Sequence, residues 1–235
     1  MNKLLMENTT ELSYILGALL GDGCIYHWKK NNSYLVHILG EDEFTQKYAQ
    51  KLSICIDKKI NNHFYKSKYL KLGCKVWFVS INHEKLFFLF KSIREDLTIV
   101  LNLMKKDRFR ENALQFIEGF FDAEGCVKII KEPVRIIPKI CLDICCTNFE
   151  VLELIRKLLL EHLGIEARYS IQKAYTSKDG HPRKTSYHLR IYRKEYIRKF
   201  LDNINTTKLK LEKINYIKNW LNNKDKKEII TLYHS

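Results

Sequence analysis

The sequence is short of acid: 27 aspartates and glutamates stand against 41 lysines and arginines, a formal net charge of +14 at pH 7. Such an imbalance points to a polyanionic partner, nucleic acid or an anionic membrane surface. No apolar run reaches the ~18 residues that a membrane-spanning helix needs. The opening residues, MNKLLMENTTEL, hold two glutamates and no cleavable hydrophobic core. The expectation is an intracellular protein without a membrane partner, in the cytoplasm of a prokaryote or in an organelle matrix. Seven cysteines include no C-x-x-C pair, which argues against zinc and for reduced thiols in the core. With 46% hydrophobic residues over 235 positions the chain builds a real core, so disorder is excluded.

What is present is a repeat. Residues 14–23, YILGALLGDG, return in diverged form at 116–125, FIEGFFDAEG, and Gly17 with Gly119, Asp22 with Glu124 and Gly23 with Gly125 are each 102 positions apart. Self-similarity of this kind marks a duplicated unit. Leu12, Ile15, Leu16, Leu19 and Leu20, like Leu114, Phe116, Ile117, Phe120 and Phe121, read as a helix buried on most sides. The glycine after each acid predicts a left-handed helix stop. Gly17, Gly21, Gly119 and Ala123 put small residues four apart on one face, and each helical glycine costs about 1 kcal/mol against alanine. Close packing of the two copies against each other offsets that cost. It also brings Asp22 and Glu124 together at the negative ends of two helix dipoles, where a divalent cation reverses the penalty for both.

Around each copy the same elements recur. Alternating segments 24–30 and 33–39 predict a hairpin turned at Asn31 and Asn32; a helix over 41–56, strands over 63–70 and 74–81 and a helix over 83–93 follow. A basic linker, 95–110, leads into the second copy. There strands fall at 126–130, 139–146, 166–175 and 185–192, with helices at 148–164 and 194–204 and a last amphipathic helix over 206–223. The fold class is α+β: two pseudo-symmetric αββαββα halves, 1–94 and 111–235, with helices on one face of each antiparallel sheet.

The other face of each sheet is left for solvent or a partner. Arg168, Ser170 and Gln172 alternate with apolar neighbours, as do Ser186, His188 and Arg190, and Lys139 and Asp143. In the first half the corresponding residues are Tyr26, Trp28, Lys30, Ser33, His37, Lys66 and Lys68, while the register of 74–81 stays open. A two-stranded ribbon of such residues fits the major groove, where Arg, Gln and Ser read base edges and aromatics cover thymine methyls.

The stretches ILGALLGDG (15–23) and IEGFFDAEG (117–125) resemble the paired signature motifs of single-chain LAGLIDADG homing endonucleases. The resemblance runs over roughly residues 10–222. It implies two sheets forming a DNA-binding saddle, a monomer, and a long asymmetric double-stranded DNA target. It implies Asp22 and Glu124 as metal ligands, one serving each strand, with cleavage to short 3′ overhangs. The cation expected is Mg²⁺, or another divalent ion such as Mn²⁺, with the carbonyls of Gly21 and Ala123 close by. The glutamine that family members often carry at the end of the second strand is replaced here by Gly40 and Cys146; Lys128 and Lys194 are the expected sources of positive charge, with His83 the counterpart of Lys194. An intron-encoded gene brings its own intron RNA in as a second expected partner. An RNA maturase and a non-cleaving DNA-binding regulator remain the alternative readings on the same fold.

Overall fold

A computed structural model of the protein describes residues 9–65, 76–130, 139–177, 180–209 and 211–222. The chain begins with helix α1 (Thr9–Asp22), hairpin strands β1 (Gly23–Trp28) and β2 (Ser33–Gly40), helix α2 (Asp42–Ile56), strands β3 (His63–Tyr65) and β4 (Val76–Asn82), and helix α3 (Glu84–Glu95). Helix α4 (Thr98–Lys105) comes next. The second copy is α5 (Phe109–Glu124), β5 (Gly125–Ile130), β6 (Lys139–Cys146), α6 (Phe149–Leu163), β7 (Arg168–Gln172), β10 (Ser186–Ile191) and α7 (Lys194–Asn203), closed by α8 (Leu211–Asn222). A short ribbon, β8 (Tyr175–Thr176) against β9 (Pro182–Arg183), extends the loop before β10.

Each half holds one four-stranded antiparallel sheet, and the two orders, β1-β2-β4-β3 and β5-β6-β10-β7, correspond strand for strand. The expected α+β duplication is the observed fold. Alternate residues of the strands, among them Val36, Ile38, Val79 and Ile81 in the first sheet and Val127, Leu142, Ile144, Leu189 and Ile191 in the second, join one hydrophobic core with the helices.

At the centre α1 lies directly on α5. A side chain at Gly17 would overlap the carbonyl oxygen of Phe116, and one at Gly119 would overlap that of Tyr14. The backbones therefore touch where the sequence places its glycines, and Tyr14, Phe116, Phe120 and Phe121 are fully buried around the contact. Fully burying residues of this size contributes roughly 1.5–3 kcal/mol each, which outweighs the helical cost of the glycines.

Several local expectations are corrected. Gly125 has φ −81° and ψ 154° and Gly23 is not among the positive-φ residues; both are extended, because the strand starts at the glycine itself. The turn after β1 is a single 3-10 turn, Lys29–Asn31, with Asn32 left-handed at φ 50°, so Lys30 belongs to the turn and not to a strand. The stretch expected to be a linker contains α4, which follows directly on α3; between them the Asp96 carboxylate accepts from the Thr98 amide and hydroxyl, both at 2.8 Å. Cys55 and Cys141 are buried as expected, but Cys24 and Cys126 are exposed, because each follows the motif glycine on the open side of its sheet. Among the described residues no helix is long and apolar enough to cross a membrane.

Candidate nuclease site and nucleic-acid interface

Asp22 is the last residue of α1 and Glu124 the last of α5. The helices are so close there that a Cβ on Gly21 would collide with the Ala123 methyl and lie 3.0 Å from Cγ of Glu124. Both acids are strained electrostatically. Burial pushes Glu124 up to about 7, the neighbouring Asp22 charge pushes the same way, and Lys208 opposes them. Asp22 is likewise raised by burial, again opposed by Lys208. Two carboxylates driven towards their neutral forms at helix C-termini are a donor set that a hard divalent cation would relieve. Among the described residues no cluster of three or more His, Cys, Asp or Glu side chains forms. A divalent cation held here would take two carboxylates from the side chains, with main-chain carbonyls, water or phosphate completing its shell.

The positive charge beside the acids comes from a residue the sequence did not single out. Lys208 follows a segment whose Thr206 hydroxyl and Thr207 amide donate to Asp122 Oδ1 at 2.6 and 2.8 Å; the Lys208 amide donates to Thr206 Oγ1 at 3.1 Å. No spacing signal marked it, since its position depends on a contact between residues 84 apart in the chain. Lys128, by contrast, forms an ion pair with Asp143, and Lys194 Nζ sits 5.6 Å from the centre of the Trp220 ring. His83 precedes α3 as Arg193 precedes α7, so the first-half counterpart of Lys194 is Glu84. Strands β2 and β6 end at Gly40 and Cys146, and the Cys146 thiol lies close enough for the Glu124 charge to help raise it, after burial.

The strand register settles the open faces. Cys24, Tyr26 and Trp28 stand opposite His37, Leu35 and Ser33, and His37 and Leu39 in turn oppose Ser80 and Phe78. Tyr26, Trp28, Ser33 and His37 therefore share one face, with Phe78 and Ser80 added by the register the sequence left open; Lys66 and Lys68 lie outside the described residues. In the second sheet Lys128, Lys139, Asp143, Arg168, Ser170, Gln172, Ser186, His188 and Arg190 all fall on the same face. Asp143 is its hub: it is 2% exposed and pairs with Lys128, with His188 Nδ1 at 3.1 Å and with Arg190 Nε at 3.2 Å. Burial works to raise Asp143, but the Lys128 hydrogen bond and the charges of His188, Lys128 and Arg190 hold it below the usual carboxylate range. Alternation found the side of the sheet on which Asp143 lies; it did not show that Asp143 is sunk beneath Lys128, His188 and Arg190 and paired with all three.

Comparison with known proteins agrees with this fold. Residues 111–205 match the family model described as a LAGLIDADG-like domain. Two uncharacterized proteins of Methanocaldococcus jannaschii, MJ0314 and MJ0398, are 24% and 27% identical over 76% and 83% of this chain. The chain spans a little under two thirds of their length, 64% and 66%. Among solved structures, mesophilic variants of the homing endonuclease I-DmoI superpose with a TM-score of 0.57 at 21% identity, over 88% of this chain and 97% of theirs. I-DmoI in complex with DNA and Ca gives 0.56 at 19% identity, over 88% and 97%. Full-length DUF199/WhiA from Thermatoga maritima gives 0.55 at 15%, over 97% and 66%. The protein has the fold of a single-chain LAGLIDADG homing endonuclease, and its second half carries a LAGLIDADG-like domain.

Proposed function

We propose that the protein is a metal-dependent, single-chain endonuclease that cuts both strands of a long, asymmetric DNA target and leaves short 3′ overhangs. The observation that supports this most is the pair of acids at the touching ends of α1 and α5, both destabilised in their charged forms by their surroundings. Fold likeness by itself does not decide an activity, and a protein that only bound DNA would need neither acid.

Asp22 and Glu124 would hold the divalent ion, Mg²⁺ or Mn²⁺. When bound, such an ion lowers the pKa of its water and offsets charge on the phosphate in flight. The chain's own residues do the rest. Lys208 supplies positive charge on the same side as both acids. The two open faces grip duplex on either side of the acids, and the different residues on each face make the target asymmetric. A single chain holding both halves binds without a second copy. Cys146 and Gly40 bring no carboxamide to the site, so water is oriented by other groups. Neither the family match nor the structural neighbours point to intron RNA as a partner.

The test is selection: the protein is incubated with Mg²⁺ and a library of long randomised duplexes, and cut ends are sequenced. Recovery of one long asymmetric site with 3′ overhangs on both strands is the expected result. A library that is bound and never cut would leave a DNA-binding protein without nuclease activity.

A further inference from the structure

The interior between the two halves contains a knot of charge that the fold does not require. On α5, Glu118 and Asp122 are 3% and 0% exposed. Lys47 of α2, in the first half, reaches both, at 2.8 Å to Glu118 Oε1 and 2.9 Å to Asp122 Oδ2. The Tyr14 hydroxyl of α1 donates to Asp122 Oδ2 at 2.9 Å. The Asn205 amide donates to Glu118 Oε2 at 3.0 Å, beside the two bonds from Thr206 and Thr207 to Asp122. Four separate pieces of chain, α1, α2, α5 and residues 205–207, therefore meet on two carboxylates.

The duplication supplies the control. The counterparts of Glu118 and Asp122, 102 positions earlier, are Leu16 and Leu20. Helices α2 and α6 are both 15 residues long and bury matching positions, so the counterpart of Lys47 is Leu154. Counted from the starts of the equivalent helices α7 and α3, the place of Lys208 in the second half is held by Thr98 in the first. One side of the pseudo-dyad is thus closed with leucines and the other with ions. A buried ion pair is often no more stabilising than well-packed apolar residues of the same volume, and here the same fold holds both solutions.

We propose that Asp122 and Glu118 are positioning residues, which strap residues 205–207 onto the last two turns of α5 so that Lys208 stands beside the paired acids one residue further on. Lys47, from the first half, holds both carboxylates and donates to the Asn205 carbonyl, so docking of the first half fastens the strap that carries Lys208. This deepens, and rests on, the endonuclease reading above.

The test uses Thr206→Val, which removes one strap bond without changing shape, and Lys208→Met, on the target recovered by selection. Thr206→Val is expected to speed hydrogen exchange at the Lys208 amide and to slow single-turnover cleavage roughly tenfold, with affinity for the target in Ca²⁺ unchanged and Thr206→Ser restoring the rate. In a Lys208→Met background the same substitution is expected to cost nothing further, because its effect passes through Lys208. Wild-type cleavage by Thr206→Val, an equal loss in both backgrounds, weakened binding or unchanged exchange would each overturn the strap while leaving the nuclease standing. A wild-type protein that cuts no target removes the nuclease reading and this inference together.

Discussion

The two sheets share strand order and register, yet their open faces work by different physics. The second is wired: Lys128, His188 and Arg190 converge on buried Asp143, His188 Nε2 lies 3.4 Å from Gln172 Oε1, and Lys139 Nζ sits 4.6 Å from the centre of the Tyr192 ring. The first has His37 where the second has Asp143, and around it Leu35, Leu39, Phe78 and exposed Tyr26 and Trp28, 56% and 48% accessible. A face whose cations are held in place before DNA arrives loses less side-chain entropy on binding and suits hydrogen bonding to guanine and phosphate. A face of aromatic and aliphatic groups suits thymine methyls and shape. Duplication followed by divergence has given one chain two chemically different open faces.

The largest effect expected from breaking this contrast is at the hub. Asp143→Ala leaves three basic groups around a buried gap and is expected to cost about 3 kcal/mol of stability, read as a lower urea midpoint. His37→Ala at the matching position is expected to cost under about 1 kcal/mol, since it is half-buried and has no ion pair among the described residues. Next is the dependence of binding on salt. Arg168→Ala is expected to reduce the slope of log K against log salt by about one phosphate. Trp28→Ala is expected to weaken binding by about 1–3 kcal/mol with the slope unchanged. A slope lowered equally by both substitutions would erase the distinction between the faces.

A smaller effect follows from the acids between the faces. Glu124 is raised from 4.5 to about 7, so protons compete with a cation below about 7 and divalent-ion affinity falls as the pH drops from 8 to 6. Asp22→Asn is expected to move that midpoint down, since the Asp22 charge helps raise it. A raised carboxyl in the folded state also means that ion-free protein loses stability as pH climbs from 4.5 to about 7. Glu124→Gln is accordingly expected to melt higher than wild type at pH 8 and equally at pH 4, by calorimetry without metal.

Much of this was legible from the residues. The 102-residue repeat gave the helix pair and its acids, because backbone contact between helices demands glycine at fixed places and few other constraints do. Period-two alternation in 168–172 and 186–190 placed six side chains together on the face away from the core, since a strand has only two. Depth was not legible: whether Asp143 touches a base or sits under Lys128 and Arg190 depends on side chains from three strands. Nor was Lys208, whose place is set by Asp122 far along the chain. The helix at Thr98–Lys105 was not legible, because its cap position is Leu97, which makes no side-chain cap bond, and the basic residues at its end read equally as a linker.

The most direct measurement is strand-resolved cleavage of the selected duplex by wild type and by Glu124→Gln at equal occupancy, with Mg²⁺. The account predicts that wild type cuts both strands, while the variant binds as tightly and makes no double-strand break. A variant that still breaks both strands at the wild-type rate would contradict the assignment of the paired acids as the centre of the protein's chemistry.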